Sequence, residues 1–139
     1  MPWIPPRSNY GLIQEQLWNN PHRLLVACIL LNLTTREQVD KVIWNVFERW
    51  PTAELLADAD ETELIEILKS LGMQNKRAKT LKRFSSEFLS SSWKTAKDLH
   101  GCGKYADDSY RIFCVGDWRS VSPNDHALKW YHDFLKETL

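Results

Sequence analysis

Apolar positions recur at helical spacing along most of this chain, with capping signals between the periodic stretches. The stretch NPHRLLVACILLNL has Asn20 where an N-cap belongs and Pro21 at the first helical position. Its apolar residues run almost all round, which predicts a helix at the centre of the core. TREQVDKVIWNVFERW puts Val39, Val42, Ile43, Val46 and Phe47 on one stripe, and Pro51 ends it. DETELIEILKSLG opens on a capping box of Asp60 and Glu63 and reaches Gly72, placed for a left-handed C-terminal residue. NKRAKTLKRFSSEFL follows as a basic amphipathic helix, and KYADDSYRIFCVG runs to Gly116. At the two ends, SNYGLIQEQLW predicts a helix starting just after Ser8 or Asn9, behind an extended segment 1–8. SPNDHALKWYHDFLKETL takes Ser122 as N-cap and Pro123 as first helical residue. No segment alternates as a strand and none repeats, so the expectation is one all-α domain over residues 1–139.

At 43% hydrophobic and 26% charged residues, the 139-residue chain has ordinary globular composition and enough length to bury a core. No apolar run approaches the ~20 residues of a membrane span, and no signal-peptide pattern opens the chain. Cys28, Cys102 and Cys114 form no C-x-x-C pair, which speaks against a disulfide framework or zinc module and for a reducing compartment. The net charge of zero conceals an asymmetry. Nine acids stand against two bases from Glu37 to Glu66, and ten bases against four acids from Lys69 to Arg111. Two solvated helix faces of opposite sign would account for this, and so would a basic face turned to a polyanion.

Between the helices, LHGCGKYADDSYRIF introduces a Gly101-Cys102-Gly103 corner after a hydrophobic residue and before a helix. Such a corner resembles a helix-hairpin-helix motif. Glycine lets the backbone turn with positive φ close to a ligand, and the next helix presents its first amides to a phosphate. A tight helix–helix connection would look the same, and backbone binding alone reads no base sequence. Asp125, 20 residues after Tyr105, stands at a helix start. The Ser122-x-x-Asp125 spacing fits a capping box; alternatively, the residue is a carboxylate held beside the corner. His126 and His132, six apart, share no helix face as metal ligands would. Ser109 and the cysteines lie in no nucleophile signature.

Corner, basic helix and later Asp together resemble the helix-hairpin-helix DNA glycosylase superfamily. Within it, PPRSNYGLIQEQL, LLVACILLNLTT, LKSLGMQNKRAKT, LHGCGKYADDSYRIFCV and PNDHALKWYHDFL are similar to the catalytic domain of the methyl-CpG-binding-domain thymine glycosylases. The similarity covers nearly the whole chain and includes no methyl-CpG-binding domain. It implies helical lobes flanking a DNA-binding cleft, and excision of thymine or uracil mispaired with guanine by a nuclear, monomeric enzyme acting on duplex DNA. The target base must leave the stack to react, and a mismatched base is cheaper to extrude than a paired one.

By the same resemblance, Asp125 matches the catalytic carboxylate, and Tyr105 and Gln14 match pocket residues that touch the flipped pyrimidine. Leu71, Gly72 and Met73 match a wedge turn, with Met73 filling the vacated space and backbone carbonyls facing the orphaned guanine. Gly101, Gly103 and Lys104 match the phosphate-binding hairpin, where the carbonyls of Lys97, Leu99 and Cys102 would hold a monovalent cation. Leu33 stands where the vertebrate enzyme has an arginine that enters the duplex; leucine supplies apolar bulk but pairs with no phosphate. Bifunctional relatives carry a lysine where this chain has Tyr105, so hydrolysis without strand cleavage is expected. The chain ends 14 residues after Asp125 with no four-cysteine tail, so no iron–sulfur cluster and no cofactor for the chemistry are expected. A non-catalytic DNA-binding module with Asp125 as a helix cap, and a relative excising another base, remain open at this point.

Overall fold

The computed structural model describes residues 2–90 and 92–139. Among these, eight α-helices, three short 3-10 turns and one π-helical stretch account for the regular structure, and no strand occurs. Helix α2 (Pro21–Leu30) is the spine. Asn20 caps it by accepting from Arg23 N, and Pro21 sits at its first turn. Leu24, Leu25, Val26, Ala27 and Leu30 have no solvent exposure, because α1 (Gln14–Leu17), α3 (Arg36–Arg49), α6 (Gln74–Leu89) and α7 (Lys104–Ser109) pack around it. Each such leucine or valine side chain contributes about 1.5–3 kcal/mol by leaving water.

On one side lie α3, α4 (Ala53–Ala57), α5 (Glu61–Leu68) and α6, with α6 laid across α4 and α5. Thr35 and Gln38 close a full capping box at the start of α3. On the other side are the N-terminal segment, α1, α7 and α8 (His126–Thr138). Helix α7 continues into a π-helical stretch, Tyr110–Val115, that stops at Gly116. Phe113 and Tyr131 stack at 4.5 Å to join that stretch to α8, and Tyr131 Oη donates to the Pro6 carbonyl at 2.6 Å.

Four local expectations change. Helix α1 begins at Gln14 rather than near residue 9, because the Glu15 carboxylate accepts from Ser8 N, Ser8 Oγ and Leu12 N and gathers residues 8–12 into a turn. The Asp60–Glu63 box is half made: Asp60 accepts from Glu63 N, while the Glu63 carboxylate pairs with Arg49 instead. Gly72 has φ 75° and ψ 165°, a positive φ with extended ψ, and the left-handed helical residue is its neighbour Met73. Helix α8 takes Asp125, not Ser122, as N-cap, and Pro123 lies outside the helix. Pro123 is buried and the Ser122 carbonyl accepts from Lys104 Nζ at 2.8 Å, which keeps residues 121–124 out of helical conformation.

The charge asymmetry also reads differently in three dimensions. Acidic α5 is a neighbour of basic α6, and Lys79 pairs with Glu61 across them at 3.2 Å. Lys69, Arg83, Lys104 and Arg111 pair with Glu66, Glu87, Asp108 and Asp117, and Arg77 is buried. Much of the basic run is therefore balanced locally.

Candidate active site and DNA-facing cleft

A cleft of about 760 Å³ opens between the two sides of the molecule, within the size range of small-ligand sites. Gln14 of α1, Cys28 of α2, the 31–34 turn, Gly101, Gly103, Lys104, Tyr105 and Asp125 all line it. Residues separated by up to 111 positions in sequence thus meet in one place.

Asp125 is exposed to the cleft, and its cap bond to Leu128 N (3.0 Å) uses Oδ2 alone. The cap ties the carboxylate to the start of α8, which is anchored in the core by buried Leu128, Tyr131 and Leu135. Gln14 is 1% exposed, and its Nε2 donates to Tyr105 Oη (2.9 Å) and Ser109 Oγ (3.2 Å). Two hydroxyls therefore orient the amide. Burial pushes the Tyr105 phenol well above its ordinary range, so it stays a neutral hydroxyl. Burial likewise raises the Cys28 thiol to about 12, which leaves it protonated and a poor nucleophile. At the rim, Tyr10 and Trp130 are half exposed and stack at 5.7 Å.

Leu33 and Met73 stand out by their backbones. They are the only non-glycine residues with positive φ among those described, at 62° and 49°. Both side chains are held toward solvent, 80% and 48% exposed. Left-handed conformation costs an ordinary residue about 1–3 kcal/mol, and strain of this kind concentrates at functional sites. Arg77 lies between the two turns: its Nε donates to the Gly72 carbonyl (2.8 Å) and its Nη1 to the Asn32 carbonyl (3.1 Å). Burial lowers the pKa of this guanidinium, a desolvation cost that the two bonds offset.

The expected wedge turn is thus divided in role. Leu71 is buried and anchors it, Gly72 is exposed, and Met73 projects. Of the carbonyls expected to face a guanine, that of Gly72 is turned to Arg77 Nε and that of Met73 accepts from Arg77 N.

At the corner, Gly101 has φ 84°, and a Cβ there would sit 2.7 Å from Thr80 Cγ2. Only glycine fits both demands. Glu87 fastens the corner by accepting from His100 N, and Asp107 accepts from Ala96 N to tie α7 to the preceding turn. The Lys104 ammonium is engaged by Asp108 (2.6 Å) and the Ser122 carbonyl. It therefore braces α7 against the segment leading to Asp125. The carbonyls of Lys97, Leu99 and Cys102 are neutral oxygen donors, a set suited in chemistry to a cation of low charge, and that of Leu99 already accepts from Cys102 N. Among the described residues no group of three or more His, Cys, Asp or Glu side chains is placed to hold a metal ion.

Sequence reasoning passed over Arg77, Ser109 and Trp130. Arg77 had a signal: it stands four before Leu81 on the stripe that carries Ala78, Phe84 and Ser85 into the core. A charge on an apolar stripe needs a buried partner.

The model of the HhH-GPD superfamily of base excision DNA repair proteins matches residues 26–135, from the spine helix through most of α8. The chain is 46% identical to a methyl-CpG-binding domain protein 4-like protein of Arabidopsis thaliana, over 96% of this chain and 30% of that one. It is 35% identical to a thymine/uracil-DNA glycosylase of Pyrobaculum aerophilum, over 70% of this chain and 45% of the relative. A thymine-DNA glycosylase of Aeropyrum pernix is also 35% identical, over 71% and 49%. The chain therefore spans between 30% and 49% of the length of these relatives. The solved structure of a thermostable thymine-DNA glycosylase superposes with a TM-score of 0.63 at 21% identity, covering 84% of this chain and 68% of the other, and so shares its fold. A glycine corner packed on a central helix, with an aspartate capping the helix beyond it, is what that matched region contains, and the chain belongs to the HhH-GPD superfamily of base excision DNA repair proteins.

Proposed function

We propose that the chain is a monofunctional DNA glycosylase that flips thymine or uracil out of a mispair with guanine and hydrolyses its N-glycosidic bond. The observation that carries this reading is the convergence of Gln14, Tyr105 and Asp125 on one cleft, beside two strained apolar residues, Leu33 and Met73. Similarity to glycosylases of thymine and uracil supports the same substrate class.

In this mechanism the amides of Gly103 and Lys104, at the N-terminal end of α7, take a backbone phosphate, while that of Cys102 is kept by the Leu99 carbonyl. Leu33 and Met73 enter the space the extruded nucleotide leaves, replacing lost stacking with apolar contact. The pyrimidine lies against Gln14 and Tyr105, where an amide and a neutral phenol offer hydrogen bonds to its polar edge. As the C1′–N1 bond breaks, its electron pair leaves with the base and the sugar becomes oxocarbenium-like. Asp125 faces that positive charge with the oxygen its cap bond does not use, and aligns the incoming water. Water adds its oxygen to C1′, and its two protons end on the sugar hydroxyl and the departing base. No step calls for a cofactor; a monovalent cation on the Lys97, Leu99 and Cys102 carbonyls would bridge the hairpin to a phosphate. Tyr105 supplies no amine to attack the sugar, so the abasic strand stays joined. Action on duplex DNA as a monomer in the nucleus completes the proposal.

The test is a duplex with one G·T or G·U pair, incubated with the protein and then treated with hot alkali. Strand cleavage that needs alkali and is absent from the matched duplex is the expected result. Cleavage without alkali, or a covalent adduct trapped by borohydride, would contradict the monofunctional assignment. A second reading is favoured by one observation, the cap bond of Asp125: a non-catalytic binding module would show no excision and equal affinity for matched and mismatched duplex.

A further inference from the structure

We propose that Arg77 is a positioning residue that sets both intruding side chains at once, by holding the peptide planes immediately before Leu33 and Met73. This rests on the glycosylase reading above. The Asn32 carbonyl belongs to the peptide bond that enters Leu33, and the Gly72 carbonyl to the one that enters Met73. A peptide unit is planar, so holding its carbonyl also sets the direction of the N–Cα bond about which φ of the following residue turns. The two residues so entered are the two non-glycine residues with positive φ among those described. One buried guanidinium thus spans 45 residues of sequence to hold both strained turns, at 2.8 and 3.1 Å.

The residue type fits the task. A guanidinium carries several donors at fixed angles and stays charged when partly desolvated, so it can serve two carbonyls on different turns without reorienting. Arg77 also belongs to α6, whose first turn starts at Met73: its own N–H donates to the Met73 carbonyl at 2.9 Å. The residue therefore grips Met73 from both sides, through the peptide before it and the carbonyl after it. Leu33 has no such helix of its own to lean on, since it lies in the turn after α2. Thr34 Oγ1 braces that turn from below by donating to the Leu30 carbonyl (2.6 Å), and Arg77 holds the peptide that enters Leu33. With both turns tied to one guanidinium, the two side chains act as one wedge.

The experiment compares single-turnover excision of uracil from a closed G·U duplex with excision from the same sequence opened into a bubble of mismatches, where no stacked pair has to be displaced. Wild-type protein, Arg77→Met and Arg77→Lys are measured on both, with thermal melts to show folding. Arg77→Met should slow the closed duplex by about tenfold or more and the bubble by less than about threefold. Arg77→Lys, a point charge in place of a fork, should fall between. In the Arg77→Lys background, Leu33→Ala and Met73→Ala should each cost less than in the wild type, because the wedge is already loosened. Equal losses on both substrates, or additive effects of the wedge substitutions, would overturn the assignment to positioning. If Arg77→Met does not fold, Arg77→Lys carries the same comparison. A wild-type protein that excises from neither substrate would instead refute the glycosylase reading itself.

Discussion

Asp125 holds two positions at once, helix cap and proposed catalytic carboxylate, and a pair of substitutions separates them. Asp125→Asn keeps an oxygen that can accept from Leu128 N, and asparagine is as good an N-cap as aspartate. Asp125→Ala removes the cap, at a cost of about 1 kcal/mol, which for a domain of this size lowers Tm by roughly 3–5 °C. The chemical cost is the same in both variants. A carboxylate about 4 Å from the positive sugar, at an effective dielectric near 20, contributes about 4 kcal/mol, or roughly a thousandfold in rate. Single-turnover excision read by alkali cleavage, together with thermal melts, measures both quantities. The expected pattern is that Asn and Ala lose activity alike, by roughly a thousandfold, while only Ala loses stability. An Asp125→Asn variant within about tenfold of wild type would show that the negative charge is not used, and would refute the mechanism.

Three further outcomes are expected. His22 is buried between Ser85 Oγ (2.9 Å) and the Phe84 ring, and burial lowers its pKa to about 4. Because that lies below the ordinary value of 6.5, its contribution to stability is complete above pH 6.5 and is lost as pH falls. Urea unfolding should therefore show about 2 kcal/mol less stability at pH 5 than at pH 7.5, and a loss unchanged in His22→Gln would assign the effect elsewhere. Gly101→Ala combines a positive φ with a Cβ 2.7 Å from Thr80 Cγ2, so it should cost about 1 kcal/mol or more and weaken duplex binding; unchanged melting and affinity would remove the corner's special status. Affinity for duplex should fall as salt rises, and Lys97→Ala, at an exposed residue of the hairpin, should reduce the slope of log affinity against log salt by about 1; an unchanged slope would place the phosphate contact away from Lys97.

What the sequence made legible was what short-range chemistry decides. Asn20 and Pro21 announce the spine helix because cap and first turn are three residues apart, and the stripe from Val39 to Phe47 announces α3 because helical spacing alone aligns it. The start of α1 is not local, because Glu15 bonds backward to residues 8 and 12, and nor is that of α8, because Ser122 and Asp125, three positions apart, both resemble caps and a tertiary bond from Lys104 chooses between them. The sign of each charged stretch was plain, but its meaning depended on α5 lying beside α6, which no local rule gives. In the site, the corner and Asp125 were visible as motifs. The tie made by Arg77 was hidden, since its partners are backbone carbonyls and carry no residue-type signature.

The cleft also has a history in time. Translation delivers Gln14 first, Tyr105 after a further 91 residues and Asp125 after 20 more. The 31–34 turn is synthesised long before α8 exists to be capped. The proposed carboxylate is held in place once α8 docks through Tyr131 onto the Pro6 carbonyl and Phe113.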